Sequence, residues 1–308
     1  MKSLLLKIVV LLLVGTNICL AKPGVKAWVI FDGGTSQWKM HNVSKMKVRH
    51  MLFGDFNGDG KVDVFRTRNG SWYVSWSGSS IWTKINSSKS RADTLRVGDF
   101  NGDKKSDIFR TANGKWFVSW GGTGSWVELK VSNAKVSKLR FGDFNGDGKT
   151  DVFRSANGKW YVSWSARSPW SVLNKSNVKV TDLAYGDFNG DGKTDIFRSS
   201  KGIWYVSWVG ASKWKVLGIS NVALKYLRLV DFNGDGITDV FRHSKNKWFV
   251  SYSGTSQWIQ LNQSKIPFRN LAIYDFTGDK RADVFTNSTS SLPVPIQGQN
   301  TVAGTLIR

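Results

Sequence analysis

The sequence predicts an all-β fold, a six-bladed β-propeller of four-stranded blades whose ring is closed by pairing of its N- and C-terminal half-blades. Three observations lead to this prediction: a unit of 44 residues recurs without insertion, each unit holds four short strand-like stretches, and the two ends carry complementary halves of a unit. Four strands in about 44 residues are typical of one propeller blade. The composition agrees, since 16 Trp and 31 Gly with 5 Pro among 308 residues are typical of compact, turn-rich β structure.

The N-terminus resembles a secretory signal peptide over residues 1–21. Lys2 and Lys7 flank an apolar run at 8–14, and Cys19-Leu20-Ala21 has the small-x-small pattern of a cleavage site. The run is too short for a membrane anchor, which needs about 20 apolar residues. We therefore expect cleavage after Ala21, a secreted or extracellular protein (periplasmic in a Gram-negative cell) and no transmembrane segment in the mature chain. Cys19 is the only cysteine, so the mature chain would have no disulfide and no cysteine-ligated zinc.

The predicted propeller occupies residues 22–287 as repeats of 44 residues, whose acidic loops begin at 55, 99, 143, 187, 231 and 275. In the third repeat an alternating stretch, 139–142, leads into the acidic loop and a second strand follows at 151–154. Ala156-Asn157-Gly158 is a hairpin turn signal. A third strand covers 160–164 and a fourth begins near Trp170.

The chain ends set the number of blades. Residues 27–45 carry only the second half of a repeat, and residues 271–287 carry only the first half. Pairing of these halves into one blade would close the ring and cover strand edges that otherwise promote aggregation. An open β-solenoid is the alternative, but complementary halves argue against it. Residues 288–308, with Pro293 and Pro295, are interpreted as a tail.

Each repeat carries the loop D-x-N-x-D-G-x-x-D or a near copy of it, which we interpret as a calcium site. Ca²⁺ takes six to eight oxygen ligands, and the side chains at positions one, three, five and nine with the carbonyl at position seven would supply them. These loops hold 18 of the 22 acidic residues, and clustered carboxylates repel one another unless a cation lies between them. The candidate ligands are Asp55, Asn57, Asp59, Lys61 and Asp63; Asp99, Asn101, Asp103, Lys105 and Asp107; Asp143, Asn145, Asp147, Lys149 and Asp151; Asp187, Asn189, Asp191, Lys193 and Asp195; Asp231, Asn233, Asp235, Ile237 and Asp239; Asp275, Thr277, Asp279, Arg281 and Asp283.

Up to six calcium ions are therefore expected, with two of the loops less favourable. The loop at 99–107 has Lys104 where the others have glycine, and the loop at 275–283 has Thr277 for Asn and Lys280 for Gly. The loops are not EF-hands, because position twelve is Arg154 in the third repeat where that motif needs a bidentate Glu.

These loops, with Phe53-Gly54, Phe141-Gly142 or Tyr185-Gly186 before them, resemble FG-GAP repeats, also called VCBS-type repeats, which build the integrin α-subunit propeller. The resemblance covers about residues 27–287. It implies calcium at the Asp and Asn positions above, and it implies extracellular adhesion, ligand recognition or lectin activity. The chain differs from integrins in having six predicted blades rather than seven.

Catalysis is not expected. The three histidines of the mature chain, His41, His50 and His243, do not recur at equivalent positions of the repeats. Acid–base chemistry by paired carboxylates would need two acidic residues outside the acidic loops, where only Asp32, Asp93, Glu128 and Asp182 remain. No G-x-S-x-G nucleophile elbow is present.

Two features could carry binding. One column of tryptophans follows Gly- and Ser-rich loops, and its members would either pack between blades or stack on sugar rings. They are Trp38, Trp82, Trp126, Trp170, Trp214 and Trp258. The second feature is the net charge of +22, which would either attract polyanions or only keep the surface soluble. One arginine also recurs at the same position of five repeats, and these arginines would either form a ring around the propeller or pair with loop carboxylates. They are Arg66, Arg110, Arg154, Arg198 and Arg242.

The sequence therefore favours a secreted calcium-binding propeller that recognises a glycan, including an anionic polysaccharide, without chemistry. The alternative is a module that binds an extracellular protein or mediates cell adhesion. A third interpretation is a calcium-assisted polysaccharide-degrading enzyme that uses Lys or Arg. We find no motif for specific nucleic-acid binding.

Overall fold

The computed structural model describes residues 27–287, which form 24 strands in six four-stranded antiparallel sheets. The prediction of an all-β, six-bladed propeller is confirmed. The predicted signal peptide, residues 1–21, and the predicted tail, residues 288–308, lie outside the described residues. The strands are β1 Ala27–Phe31, β2 Lys39–Val43, β3 Leu52–Gly54, β4 Asp63–Arg68, β5 Ser71–Ser75, β6 Thr83–Ser87, β7 Arg96–Gly98, β8 Asp107–Ala112, β9 Lys115–Ser119, β10 Val127–Val131, β11 Arg140–Gly142, β12 Asp151–Ala156, β13 Lys159–Ser163, β14 Ser171–Lys175, β15 Ala184–Gly186, β16 Asp195–Ser200, β17 Ile203–Ser207, β18 Lys215–Ile219, β19 Leu227–Val230, β20 Asp239–Ser244, β21 Lys247–Ser251, β22 Ile259–Gln263, β23 Ala272–Tyr274 and β24 Asp283–Asn287.

The helical elements of residues 27–287 are short 3₁₀ turns, and no helix in this range is long and apolar enough to cross a membrane. One set follows the third strand of each blade: Asp32–Gly34, Trp76–Gly78, Trp120–Gly122, Trp164–Ala166, Trp208–Gly210 and Tyr252–Gly254. The other set lies between blades: Val48–His50, Ala92–Thr94, Val136–Lys138, Val180–Asp182, Leu224–Tyr226 and Phe268–Asn270.

Each blade is a simple meander from the centre of the ring outward. Blades 1 to 5 consist of β3–β6, β7–β10, β11–β14, β15–β18 and β19–β22 in chain order. The first strand of each blade is innermost, because β3 contacts β7, β15 contacts β19 and β19 contacts β23 across neighbouring blades. The last strand of each blade therefore lies at the outer edge.

The sixth blade joins the two ends of the described chain. Its strand order is β2-β1-β24-β23, and β1 pairs with β24 in antiparallel register, with Trp28 opposite Asn287 and Phe31 opposite Val284. The Val48 N–H also donates to the side-chain oxygen of Asn287 at 3.1 Å. The predicted closure by complementary half-blades is confirmed.

Side-chain alternation explains the core. On β5, Trp72 and Val74 are fully buried, and on β4, Val64 and Phe65 are fully buried, so each middle strand contributes side chains to the spaces between blades. One such cluster combines residues of blades 2 and 3: Phe100, Phe109, Trp116, Val118, Leu139, Val152 and Ala166. Aromatic pairs of this kind add about 0.5–1.5 kcal/mol each beyond their buried area. The core is therefore a ring of inter-blade layers.

The meander gives the disc two different faces. The acidic loops join first to second strands, and the first set of 3₁₀ turns joins third to fourth strands, so both lie on one face, here named the loop face. The hairpin turns between second and third strands and the links from each blade to the next lie on the other face, here named the connector face. The links, here named the connectors, are residues 44–51, 88–95, 132–139, 176–183, 220–226 and 264–271.

Candidate calcium loops and their surroundings

The first aspartate of each acidic loop organises the turn. In the third loop the Gly146 N–H donates to Asp143 Oδ1 at 2.7 Å, and the Gly148 N–H donates to Asp143 Oδ2 at 2.7 Å. Both glycines have a φ of +77°, a conformation that costs glycine little and other residues more. Lys104 and Lys280, which replace the second glycine in two loops, have φ of +66° and +69°. Those two loops therefore close in the same way at a higher conformational cost.

Positions three and five meet beside this aspartate. The Asn145 side-chain amide donates to Asp147 Oδ2 at 3.2 Å, and the Asp147 N–H donates to Asn145 Oδ1 at 3.2 Å. The Asp147 N–H also donates to Asp143 Oδ1 at 3.2 Å, and Lys149 N–H donates to Asp147 Oδ1 at 2.9 Å. The structure thus brings the predicted ligands at positions one, three and five together on an exposed loop.

Position nine is different because its side chain is completely buried. Asp151 has no exposed surface; it accepts the Phe144 N–H on Oδ2 at 2.9 Å and the Ser165 N–H on Oδ1 at 2.7 Å. This carboxylate therefore ties the acidic loop to the 3₁₀ turn after the third strand. The same pair of bonds recurs in every blade, on Asp63, Asp107, Asp151, Asp195, Asp239 and Asp283.

Burial disfavours the ionised form of the position-nine carboxylates. Burial raises the pKa of Asp151 to about 6, the two backbone N–H donors lower it, and the charges of Asp147 and Asp143 raise it further. The pKa values of Asp63, Asp107, Asp195, Asp239 and Asp283 are likewise raised to about 6, with burial as the largest cause. A nearby cation would stabilise the charged form of these groups.

The donor set of the loops suits calcium in kind, since it consists of carboxylate and amide oxygens on a tight turn. An ionised carboxylate has about four lone-pair sites, so the oxygens that accept one N–H bond retain further capacity. Within residues 27–287, no group of three or more His, Asp or Glu side chains stands in an arrangement that would hold a metal.

The loops also form a closed ring of backbone hydrogen bonds, which sequence reasoning missed. The carbonyl of each position-one aspartate accepts the N–H of position eight in the next blade at 2.5–2.8 Å. The donors and acceptors are Ser106 and Asp55, Thr150 and Asp99, Thr194 and Asp143, Thr238 and Asp187, Ala282 and Asp231, and Val62 and Asp275. The acidic loops therefore link all six blades around the axis.

The contact between the acidic loops of neighbouring blades, here named the seam, requires the glycine that precedes four of the loops. A Cβ on Gly142 would lie 2.7–3.0 Å from the side chain of Thr194, which is closer than real Cβ contacts. Gly54, Gly98 and Gly186 face equally close neighbours in the next blade. In blade 5 this position is Val230, and the residue facing it from the next blade is the smaller Ala282.

The loop at 275–283 contains its own cation. The Arg281 guanidinium donates from Nε and Nη2 to Asp279 Oδ2 at 3.0 and 2.6 Å, and Nη2 lies 3.9 Å from Asp32 Oδ1. Hydrogen bonds and the charge of Arg281 hold the pKa of Asp279 below its usual value, although burial acts in the opposite direction. No other loop among the described residues has an ion pair of this kind.

The tryptophans predicted to bind sugar are half-buried between blades. Each lies edge-to-face against a buried tryptophan of the neighbouring blade at ring-centroid distances of 5.3–5.8 Å: Trp82 on Trp28, Trp126 on Trp72, Trp170 on Trp116, Trp214 on Trp160, Trp258 on Trp204 and Trp38 on Trp248. At four of them a guanidinium lies 3.9–4.2 Å from the ring centroid: Arg66 at Trp82, Arg110 at Trp126, Arg154 at Trp170 and Arg242 at Trp258. Sugar stacking on this column stays a prediction.

The repeated arginines therefore have a role that sequence reasoning did not foresee. Arg66, Arg110, Arg154 and Arg242 stack on the outer tryptophans and on an aromatic ring of the third strand, such as Tyr73 at 5.1 Å from Arg66. The fifth member of the column, Arg198, instead donates to Ser200 Oγ at 3.2 Å. Their distance from the loop carboxylates exceeds ion-pair range in the described residues. The regular alternation of Arg, Tyr or Phe, and Trp in the repeat is the signal that could have indicated this stack.

The remaining candidate residues are dispersed. Asp93 pairs with Arg91 at 3.1 Å, and Glu128 pairs with Lys115 at 2.8 Å, both on the surface. His41 lies in the seam between blades 6 and 1, where its Nε2 contacts the Ser77 carbonyl. Burial lowers the pKa of His41.

A closed ring of six four-stranded blades, each with an acidic loop after its inner strand, defines a repeat propeller with loop-linked blades. A family model described as an FG-GAP-like repeat matches residues 55–110, 99–154 and 143–198. Residues 55–198 therefore match FG-GAP-like repeats, which supports the prediction of an FG-GAP-type repeat protein.

The fold is similar to that of a lectin from Agrocybe aegerita that recognises non-reducing terminal N-acetylglucosamine. The identity is 16%, the TM-score is 0.56, and the match covers 86% of this chain and 85% of that chain. Weaker similarity links it to the GH74 enzyme of Niastella koreensis, with 13% identity, a TM-score of 0.44, and 85% and 43% coverage. TolB of Acinetobacter baumannii has 14% identity, a TM-score of 0.45, and 85% and 63% coverage. No curated protein matches the sequence.

Proposed function

We propose that this protein is a secreted, calcium-binding recognition propeller that binds a glycan, with preference for an anionic polysaccharide, and performs no chemistry on it. The fold similarity to a lectin supports recognition of sugars as the class of function. The lectin and this chain share 16% identity, so the sugar itself is not transferred.

The observation that carries the proposal is the placement of the carboxylates. Eighteen of the 22 acidic side chains belong to the acidic loops, where backbone N–H groups hold them. The other four are Asp32, Asp93, Glu128 and Asp182, which are far apart along the repeats. These four side chains do not pair with one another, which argues against acid–base hydrolysis of a glycosidic bond, and most Lys and Arg side chains are free to meet an anionic ligand.

Calcium would be held by the side chains at positions one, three and five and by the carbonyl at position seven, with position nine beside them. When bound, the ion would neutralise the clustered carboxylates and cross-link each loop. The loops at 55–63, 143–151, 187–195 and 231–239 have the complete set of loop residues. Lys104 makes the second loop a weaker site, and in the sixth loop the Arg281 guanidinium takes the place of the ion beside Asp279.

The test is a glycan array probed with the purified protein in 1–2 mM calcium and in chelator. We expect binding to acidic glycans that weakens as salt is raised, because screening shortens the range of the interaction. Absence of binding to every glycan, together with recovery of a protein partner in a pull-down from extracellular fluid, would contradict the proposal.

A protein-binding or adhesion module is the second candidate. Its support is the set of apolar side chains that the last strands expose at the outer edge of the ring, among them Val131, Val216 and Ile219, of which Ile219 is 86% exposed. A calcium-assisted polysaccharide-degrading enzyme is the third. Incubation of acidic polysaccharides with the protein, followed by measurement of chain length, separates this third candidate from simple binding.

A further inference from the structure

We propose that the connector face is the docking surface, and that its ligand is an acidic polysaccharide bearing sulfate or carboxylate groups. This inference rests on the proposed function and adds the location of binding and the chemistry of the ligand. It follows from how the topology sorts charge between the two faces of the disc.

The connector face is strongly cationic. The six connectors contain eleven Lys or Arg and two Asp, and every connector has at least one basic residue. The hairpin tips at 68–71, 112–115, 156–159, 200–203 and 244–247 add six Lys or Arg and no acidic residue. The six acidic loops on the opposite face contain eighteen Asp and seven Lys or Arg. The connector face therefore has an excess of positive charge, whereas the acidic loops of the loop face have an excess of negative charge.

The cations of the connector face are largely unpaired. Of the five ion pairs among the described residues, only Arg91 with Asp93 and Lys115 with Glu128 involve this face. Lys135, Lys138 and Lys179 are exposed and have no carboxylate within ion-pair distance. An arriving anion would meet them without first displacing an internal partner.

The two faces act independently at physiological salt. The middle strands have five or six residues, which at about 3.4 Å per residue separate the faces by about 17–20 Å before the loops are counted. The Debye length is about 8 Å at 0.15 M salt, so the acidic loops do not cancel the field of the connector face. Calcium in the loops would weaken the opposing charge still further.

Arginines at the start of three inner strands extend the cationic surface toward the centre of the ring. The backbone holds them in place: Arg96 Nη1 donates to the Leu95 carbonyl at 2.6 Å, Arg140 Nη1 to the Leu139 carbonyl at 2.8 Å, and Arg228 Nη1 to the Leu227 carbonyl at 2.9 Å. Burial and the neighbouring charge of Arg140 lower the pKa of Arg96, which agrees with their proximity. The remaining donors of each fixed guanidinium suit a sulfate or carboxylate.

The rest of the face favours a polysaccharide over other polyanions. The connectors intersperse their basic residues with Ser, Asn and Thr, whose side chains can hydrogen-bond sugar hydroxyl groups. Tyr226 is the one exposed large aromatic side chain of the connectors, whereas single-stranded nucleic acid needs a series of aromatic stacking platforms. Membrane-surface binding likewise relies on several inserted Trp, Phe or Leu side chains.

The experiment compares two triple variants that lose the same charge. One changes the connector face, Lys135→Gln with Lys138→Gln and Lys179→Gln; the control changes exposed lysines outside it, Lys84→Gln with Lys213→Gln and Lys215→Gln. Affinity for heparin, for alginate and for neutral dextran is measured in calcium at 0.05–0.3 M salt. We expect the connector variant to bind heparin or alginate at least about tenfold more weakly than the wild type, and the control to change less than about threefold.

Equal losses in both triple variants, or no loss in either, would overturn the location, provided that both melt like the wild type. Wild-type binding to neutral glycans alone would overturn the acidic ligand and leave the proposed function standing. If no glycan binds, both fail. Tighter binding to phosphatidylglycerol vesicles or to single-stranded DNA than to either polysaccharide would assign the connector face to that ligand and overturn this inference.

Discussion

At a few positions one blade has a residue of a different type from the equivalent residues of the other blades, and these exceptions indicate the role of the position. His41 occupies the place where the other blades have Ile85, Leu129, Leu173, Leu217 and Leu261. These side chains contact a small residue of the next blade, and a Cβ added at Gly78 would lie 3.3 Å from the His41 ring. The seam between blades 6 and 1, where the ring closes, thus contains an ionisable group in place of an aliphatic one.

We expect His41 to make the stability of the closing seam dependent on pH. Its folded-state pKa lies below the ordinary value of 6.5, so below pH 6.5 the unfolded chain binds a proton that the folded protein resists. Stability is therefore lost as the pH falls from 6.5 toward the folded-state pKa. Urea unfolding in excess calcium between pH 7 and pH 5 should show this loss in the wild type and a smaller loss in His41→Leu. Identical pH profiles would contradict the prediction.

Arg281 is the second informative departure, because it supplies a cation to the loop at 275–283. We expect Asp279→Asn to leave the number of bound calcium ions unchanged and Asp191→Asn to lower it by one, since the loop at 187–195 has the full set of loop residues. Calorimetric titration with calcium measures both numbers. Loss of one site in Asp279→Asn would show that Arg281 does not replace the metal.

At the scale of elements, the acidic loops and inner strands form the seam between blades. The ring of position-one carbonyls and position-eight N–H groups joins every blade to the next, and the inner-strand glycine makes room for the position-eight side chain. Asn86 on β6 adds an outer link, donating to the carbonyls of Gly122 and Gly124 in the next blade at 3.1 and 3.0 Å. Blades are therefore joined near the axis and at the periphery.

In blade 5 the larger Val230 faces the smaller Ala282, whereas in blade 3 the smaller Gly142 faces the larger Thr194. This difference predicts what happens when the residue sizes are changed in blade 3. Gly142→Val should destabilise the protein by about 1–3 kcal/mol, because the new side chain overlaps Thr194. Adding Thr194→Ala should restore part of that loss, although Thr194→Ala alone brings no gain. Urea unfolding of the three variants measures the coupling. Additive effects would show that the two positions do not constrain each other.

At the scale of the whole molecule, the propeller is closed by one antiparallel strand pair, β1 with β24, and its only cysteine precedes the described residues. Three carboxylates in each of six loops repel one another unless a cation lies between them. Burial raises the pKa of the position-nine aspartates to about 6, and the charges of the neighbouring loop carboxylates raise it further. Calcium would convert this repulsion into a cross-link.

We expect chelation to lower the melting temperature steeply. With dissociation constants of about 0.1 mM and calcium at about 1 mM, each site adds about 1.4 kcal/mol, so four loops add about 6 kcal/mol. Thermal unfolding in calcium, in chelator and in magnesium tests this. Magnesium should restore less stability than calcium, because it dehydrates reluctantly. A melting temperature that chelation leaves unchanged would contradict calcium as the main cross-link.

Much of the architecture could be predicted from the sequence because the repeat presents each local pattern six times. Strand alternation, the Asn-Gly turns and the half-repeats at 27–45 and 271–287 specified the blade, its size and the closure of the ring. The loop residues at positions one, three and five were also predicted to lie together, since a turn of nine residues brings alternate side chains to one side. Whether calcium fills them stays a prediction.

The pairings between blades were decided only by the tertiary structure. Local pattern does not show that Asp151 is buried under two backbone N–H groups, that the Asp143 carbonyl meets Thr194, or that Arg66 lies on Trp82. These contacts depend on how neighbouring blades pack about the axis, which is set by side-chain volume across the seam. The separation of charge between the two faces has the same origin, because it follows from which turns the meander brings to each side.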